Sequence, residues 1–223
     1  MKRIINRLRH ERNRFLNRLK IYQAAAVTLL TPTKKGLWKK VAEAGPPSWD
    51  ERNQIIAGFI PPGSSVLDVG CGAQTLKQYL KPGCRYQPCD VVKSSPDVIF
   101  CDFNAGIYPN VGEPFDYIVC SGVFEYIRKP EEFLRRIPLL GHFTIMSYNP
   151  LPPGGSKLAR LANGWGWLNH FTNKELEDLF EGMGLSWTIL LGHEKLGYTI
   201  FLLSPEKMKR ENQAFEIKEQ KLK

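Results

Sequence analysis

The stretch that decides the fold is Val66-Leu67-Asp68-Val69-Gly70-Cys71-Gly72. A short apolar run leads straight into two glycines one residue apart, and Ala73 to Leu80 then reads as a helix stopped by Pro82-Gly83. Strand, tight turn and helix in that order open a β/α unit. Further short apolar runs follow at Cys84–Cys89, Val98–Cys101, Phe115–Cys120 and Phe143–Tyr148, with a helix-like Pro130–Ile137 between the last two. Upstream, the Pro46-Pro47 and Pro61-Pro62-Gly63 clusters isolate a helix-like stretch from Trp49 to Phe59. Downstream, Thr172-Asn173-Lys174-Glu175 has the spacing of a capping box, and Gly182 and Gly184 would end the helix it opens. Leu185–Leu191 and Tyr198–Leu203 are separated by a short polar link and read as a closing hairpin. This alternation predicts an α/β fold, a three-layer Rossmann-like sandwich with a mostly parallel seven-stranded sheet ending in an antiparallel hairpin.

Glycine lacks a β-carbon, so a turn built on Gly70 and Gly72 lets backbone approach a nucleotide-type ligand closely. A dinucleotide fingerprint would need a third glycine at position 75, which is Thr75. With Asp68 ahead of the first glycine, the stretch resembles the Asp/Glu-x-Gly-x-Gly motif of class I S-adenosylmethionine-dependent methyltransferases of the small-molecule type. The resemblance runs from about residue 50 to 204. It implies S-adenosyl-L-methionine as cofactor, bound by the turn Gly70, Cys71 and Gly72, with Asp68 contacting its methionine part. Asp90, eighteen positions after Gly72, falls where such folds put a carboxylate to accept the ribose hydroxyls. Asp102 would meet the adenine amino group, Phe103 would cover the ring, and Ser121 lies at the tip of the fourth strand. Many members carry a further glycine where this chain has Gln74, so the loop is expected to differ there.

The segment Ser121-Gly122-Val123-Phe124-Glu125-Tyr126-Ile127 is where members of the family diverge in substrate. The Asn/Asp-Pro-Pro-aromatic motif of adenine-amine methyltransferases is absent, and Cys120 lacks the proline that precedes a cytosine-C5 nucleophile, which leaves it a structural thiol. Many small-molecule members have Glu-His where this chain has Glu125-Tyr126. Tyrosine is a poor base near neutral pH. The catalytic candidates are therefore Tyr126 and His170, the latter just before the capping box in Trp165-Gly166-Trp167-Leu168-Asn169-His170-Phe171. A loop-packing role fits His170 equally, and Trp165, Trp167 and Phe171 either stack on an acceptor or close the core.

Charge is concentrated at one end. Residues 1–40 carry twelve Lys or Arg against Glu11, so this segment holds +11 of a net +9 and leaves the remainder at −2. Ile5, Leu8, Leu16 and Leu19 lie at near-helical spacing within it. The division expected is a basic amphipathic arm over 1–45, a methyltransferase domain over 46–204 and a charged tail over 205–223. Either an anionic membrane surface or a protein surface would suit the arm, with nucleic acid an unlikely third. Five cysteines without a C-x-x-C pair read as reduced buried thiols, and no metal site is expected. No secretory signal or spanning segment stands out, which points to the cytoplasm, with peripheral contact at the inner face of the membrane.

The expected function is methyl transfer to a small molecule or a glycan or lipid-linked precursor. Two alternatives stay open. Ser147-Tyr148-Asn149-Pro150 and the Trp/His/Thr segment also resemble the MetW family, which implies a partner of a biosynthetic enzyme with little or no catalysis of its own. RNA methylation would instead require binding that falls steeply with salt. Oligomeric state and acceptor atom are open.

Overall fold

The computed structural model describes residues 2–30, 36, 38–39, 47–162, 165–194 and 196–205, with backbone alone for 2–10 and 47–48. The tail from 206 and the boundary proposed at 45 lie outside the described residues. The elements are α1 (Lys2–Leu30), α2 (Pro47–Gly58), β1 (Ser65–Val69), β2 (Arg85–Asp90), β3 (Ile99–Phe100), β4 (Phe115–Ser121), α3 (Pro130–Arg136), β5 (Gly141–Tyr148), α4 (Lys157–Leu161), α5 (Asn173–Gly182), β6 (Ser186–Leu191) and β7 (Thr199–Ser204).

They build one seven-stranded sheet in the order β3-β2-β1-β4-β5-β7-β6. The first five strands pair in parallel, and β7 runs antiparallel to both β5 and β6. All five residues of β1 are buried, as a central strand covered on both faces requires. On one face Leu67, Cys120, Met146 and Phe201 pack under Phe133 of α3 and Leu176 and Phe180 of α5. On the other, Val66, Val119, Ile145 and Ile200 meet Ile56 and Ala57 of α2. The three-layer expectation holds.

The capping box also forms: Thr172 Oγ1 accepts from the Glu175 amide at 3.2 Å and Glu175 Oε2 accepts from the Thr172 amide at 2.7 Å. The helix expected over 73–80 does not. A single 3-10 segment, Thr75–Tyr79, stands there instead. Gln74 takes a left-handed backbone, φ 58°, which a right-handed helix begun at Ala73 could not contain. The Gln74 side chain also turns away to donate to Ser95 Oγ at 2.8 Å instead of capping.

α1 lies against α4 and buries Ala25 and Thr28. Its Phe15, Leu19 and Tyr22 are 62%, 41% and 58% exposed. No helix among the described residues is long and apolar enough to cross a membrane.

Candidate active site

The chain winds from β1 outward to β2 and β3, then returns across β1 to β4. The loops after β1 and β4 therefore leave in opposite directions and open a crevice at the strand ends, the usual ligand position of such sheets. A cleft lies there. Asp68, Gly70, Cys71, Gly72, Asp90, Asp102, Phe103 and Ser121, all expected around the cofactor, line it, and so does Tyr126.

Backbone geometry accounts for the glycines. Gly70 has φ 72°, and a β-carbon there would come within 2.3 Å of Val123 Cγ2, so a side chain would break the contact between the loops after β1 and β4. Gly72 faces open space and donates its amide to Asp90 Oδ2 at 2.9 Å. The Val92 amide binds Asp90 Oδ1 at 2.8 Å, so the carboxylate is fixed from both sides. Gln74 adopts φ 58°, the left-handed geometry for which glycine is the easy choice.

Burial governs the ionisable groups. Asp68 accepts from the Tyr86 hydroxyl at 2.7 Å, yet desolvation outweighs that bond and pushes its pKa up to about 7. Asp90 is also raised by burial, opposed by amides of the loops. Desolvation drives the Cys71 and Cys120 thiols upward, which keeps them protonated and unreactive. It raises the Tyr126 phenol as well, so this side chain is a hydrogen-bond donor and not a base.

His170 is not brought to the cleft. Neither ring nitrogen has a hydrogen-bond partner, and burial, then Arg160 and Lys157, lower its pKa. Phe171 packs between Phe124 and Tyr148 in the core, while Trp165 and Trp167 line a second chamber beside the cleft.

Two residues escaped the sequence reading. Arg52 and Asn53 of α2 are 6% and 8% exposed and line the cleft. Arg52 Nε donates to Ser121 Oγ at 2.9 Å and Nη2 to the Ser121 carbonyl at 3.3 Å. Ser121 Oγ donates to Asn53 Oδ1 at 2.7 Å, and Asn53 Nδ2 to Thr75 Oγ1 at 2.5 Å, tying α2 to the loops after β1 and β4. Among the described residues no carboxylate lies within ion-pair distance of Arg52, although Glu125 is near enough to raise its pKa against the lowering by burial. The available signal was periodicity: positions 52 and 56, and 53 and 57, share the face of α2 that buries Ile56 and Ala57. Polar residues on a buried stripe face a site or a partner.

A methyltransferase domain family matches residues 41–188. The chain belongs to that family. Class I S-adenosylmethionine-dependent methyl transfer is accordingly its chemistry, and the arrangement of acids and glycines above fits the donor. Solved structures share the fold. A putative O-methyltransferase from Nostoc punctiforme PCC 73102 superposes with a TM-score of 0.63 at 17% identity, over 82% of this chain and 66% of that one. The plantazolicin methyltransferase BpumL, solved in complex with SAH, gives 0.55 at 14% identity, over 86% and 98%. A putative methyltransferase bound to the Haloferax volcanii Trm112 activator gives 0.55 at 13%, over 81% and 96%. No protein of curated function matches the sequence.

Proposed function

We propose that this enzyme methylates a small molecule or a glycan or lipid-linked precursor, working from the cytoplasmic face of a membrane. The observation that carries the donor half of this reading is the convergence of Asp68, Asp90, Asp102 and Arg52 on one cleft. Asp90, already oriented by two amides, accepts the ribose hydroxyls. Asp102 receives the adenine amino group and Phe103 covers the ring. The buried Arg52 guanidinium, without a carboxylate of its own at contact distance, takes the α-carboxylate of the methionine part, because an uncompensated buried charge is costly. Asp68 lies near the ammonium of the same part. When bound, the donor supplies an electrophilic methyl on a sulfonium, and transfer from it rests on placing the acceptor atom in line.

Tyr126 supplies a proton-bearing hydroxyl on the acceptor side, consistent with its raised pKa. We assign His170 to supporting the loop that carries Trp165 and Trp167. The membrane half of the reading rests on α1, whose exposed Phe15, Leu19 and Tyr22 are interleaved with Arg12, Arg14, Arg18 and Lys20. Such a surface suits an anionic lipid interface. Calorimetric titration of the parent and Asp90→Ala proteins with S-adenosylhomocysteine tests the donor site: the parent should bind and the variant should bind at least tenfold more weakly. Equal binding by both, with the fold intact, refutes the ribose assignment.

A further inference from the structure

The second chamber shares Trp49, Arg52, Gly122 and Tyr126 with the cofactor cleft, so its contents abut the donor site. Trp165 and Trp167, Tyr198 and Glu125 form much of its remaining wall. Five aromatic side chains around one carboxylate suggest either a cation cage or a stacking site for a ring.

Glu125 narrows the choice. It is 1% exposed. Its Oε1 accepts from the Asn149 amide at 3.0 Å and from Asn149 Nδ2 at 2.8 Å, while its carbonyl accepts from Leu168 and Asn169 and so holds the tryptophan loop in place. Its Oε2 is buried and has no hydrogen-bond partner. A carboxylate oxygen left in that state carries the desolvation penalty of a missing donor, which a ligand can supply.

Two guanidinium groups argue against a cationic ligand. Arg52 lies over Trp49 and Tyr198 at 5.7 and 5.8 Å from the ring centroids, and Arg160 lies over Trp167 at 4.4 Å. Three of the five rings already carry one of the protein's own cations, whose charge repels a further one, and the donor brings a sulfonium. An anionic ligand would have to sit against the free oxygen of Glu125. A neutral hydroxyl satisfies both constraints. Beside Glu125, the Tyr126 hydroxyl accepts from Trp167 Nε1 at 2.9 Å and keeps its own proton to donate. Both residues line the chamber, one offering an acceptor and the other a donor, and a hydroxyl group is both at once.

We infer that the chamber is the acceptor subsite and takes a neutral, hydroxyl-bearing ring, whose O–H donates to Glu125 Oε2 and whose oxygen accepts from Tyr126. Its ring lies against Trp165 and Trp167. This rests on the donor site proposed above. The shared chemistry covers sugars and phenols, and the test separates them. Full-length protein saturated with S-adenosylhomocysteine is probed by ligand-observed saturation-transfer NMR with methyl α-D-glucopyranoside, catechol, phenethylammonium and benzoate. Transfer to the pyranoside or to catechol, absent from the two charged rings and reduced at least fivefold in Glu125→Gln and in Trp165→Ala, is the expected result, and whichever probe responds names the source. No transfer to either neutral ring overturns the inference, as does preference for a charged ring or equal response in parent and variants. Calorimetry of each protein with S-adenosylhomocysteine runs alongside. Its failure in the parent would strike the donor site instead, and if Glu125→Gln alone loses that affinity, Trp165→Ala decides.

Discussion

Replacing Arg52 by methionine separates a charge that recognises the donor from one that only holds the loops together. The guanidinium spends two hydrogen bonds on Ser121, at 2.9 and 3.3 Å, and a β-carbon at Gly122 would come within 2.7 to 3.0 Å of it. It therefore sits at the tip of β4 with its remaining donors free for a carboxylate. Each charge-assisted bond to a ligand contributes about 1.5 to 3 kcal/mol. Loss of a carboxylate contact worth about 3 kcal/mol weakens S-adenosylhomocysteine roughly 150-fold. Stability should change little, because the two lost Ser121 bonds, about 1 kcal/mol each, are offset by removal of a buried charge. The control ligand is 5′-methylthioadenosine, which has the adenosine and sulfur but no amino-acid carboxylate. Its affinity should differ by less than twofold between parent and Arg52→Met in the same calorimetric titration. Equal weakening of both ligands would mean that Arg52 shapes the cleft and does not read the carboxylate; no weakening of either would remove it from the site.

Four further outcomes follow from the same geometry. Asp68 has a folded pKa of about 7 against an ordinary value of 3.8, so its contribution to stability is fully present below about pH 4 and is lost as pH rises through 7. Asp68→Asn should flatten the Tm profile over that window in differential scanning calorimetry, and an unchanged slope would place the titration elsewhere. If the donor's ammonium approaches Asp68, binding favours the carboxylate form, so S-adenosylhomocysteine affinity should rise with pH up to about 7 in the parent and lose that dependence in Asp68→Asn. Phe15→Glu with Leu19→Glu should cut sedimentation with phosphatidylserine-containing vesicles at least tenfold while cofactor affinity stays the same; undiminished sedimentation would free α1 from the membrane role. His170→Ala should keep S-adenosylhomocysteine affinity and, once an acceptor is in hand, turnover within about threefold, whereas a hundredfold loss of turnover would return the histidine to catalysis.

What the sequence made legible follows from the way a parallel sheet gathers residues. Asp68, Asp90, Asp102 and Ser121 are far apart in the chain, yet each belongs to the C-terminal end of one of four neighbouring parallel strands or to the residues just beyond, so recognising the strands was enough to bring them together. Nothing similar locates Arg52. It comes from a helix that precedes the sheet, and its place in the cleft depends on the packing of Ile56 and Ala57 against the sheet face, a tertiary fact that only its position on their stripe could have suggested. Gln74 shows the same limit from the other side. Its identity departs from the family's glycine, which suggested a different loop, yet its backbone takes the glycine-like φ of 58°. The bond from its side chain to Ser95 and the one from Gly72 to Asp90 connect the loop after β1 with the segment after β2. Those two contacts span 21 and 18 residues and compensate for the strain of a non-glycine residue there. A loop's conformation is therefore set by what it binds across the sheet as much as by its own residues, and Gln74→Gly should leave the donor affinity intact while Ser95→Ala loosens the loop, visible as faster amide exchange at Gly72.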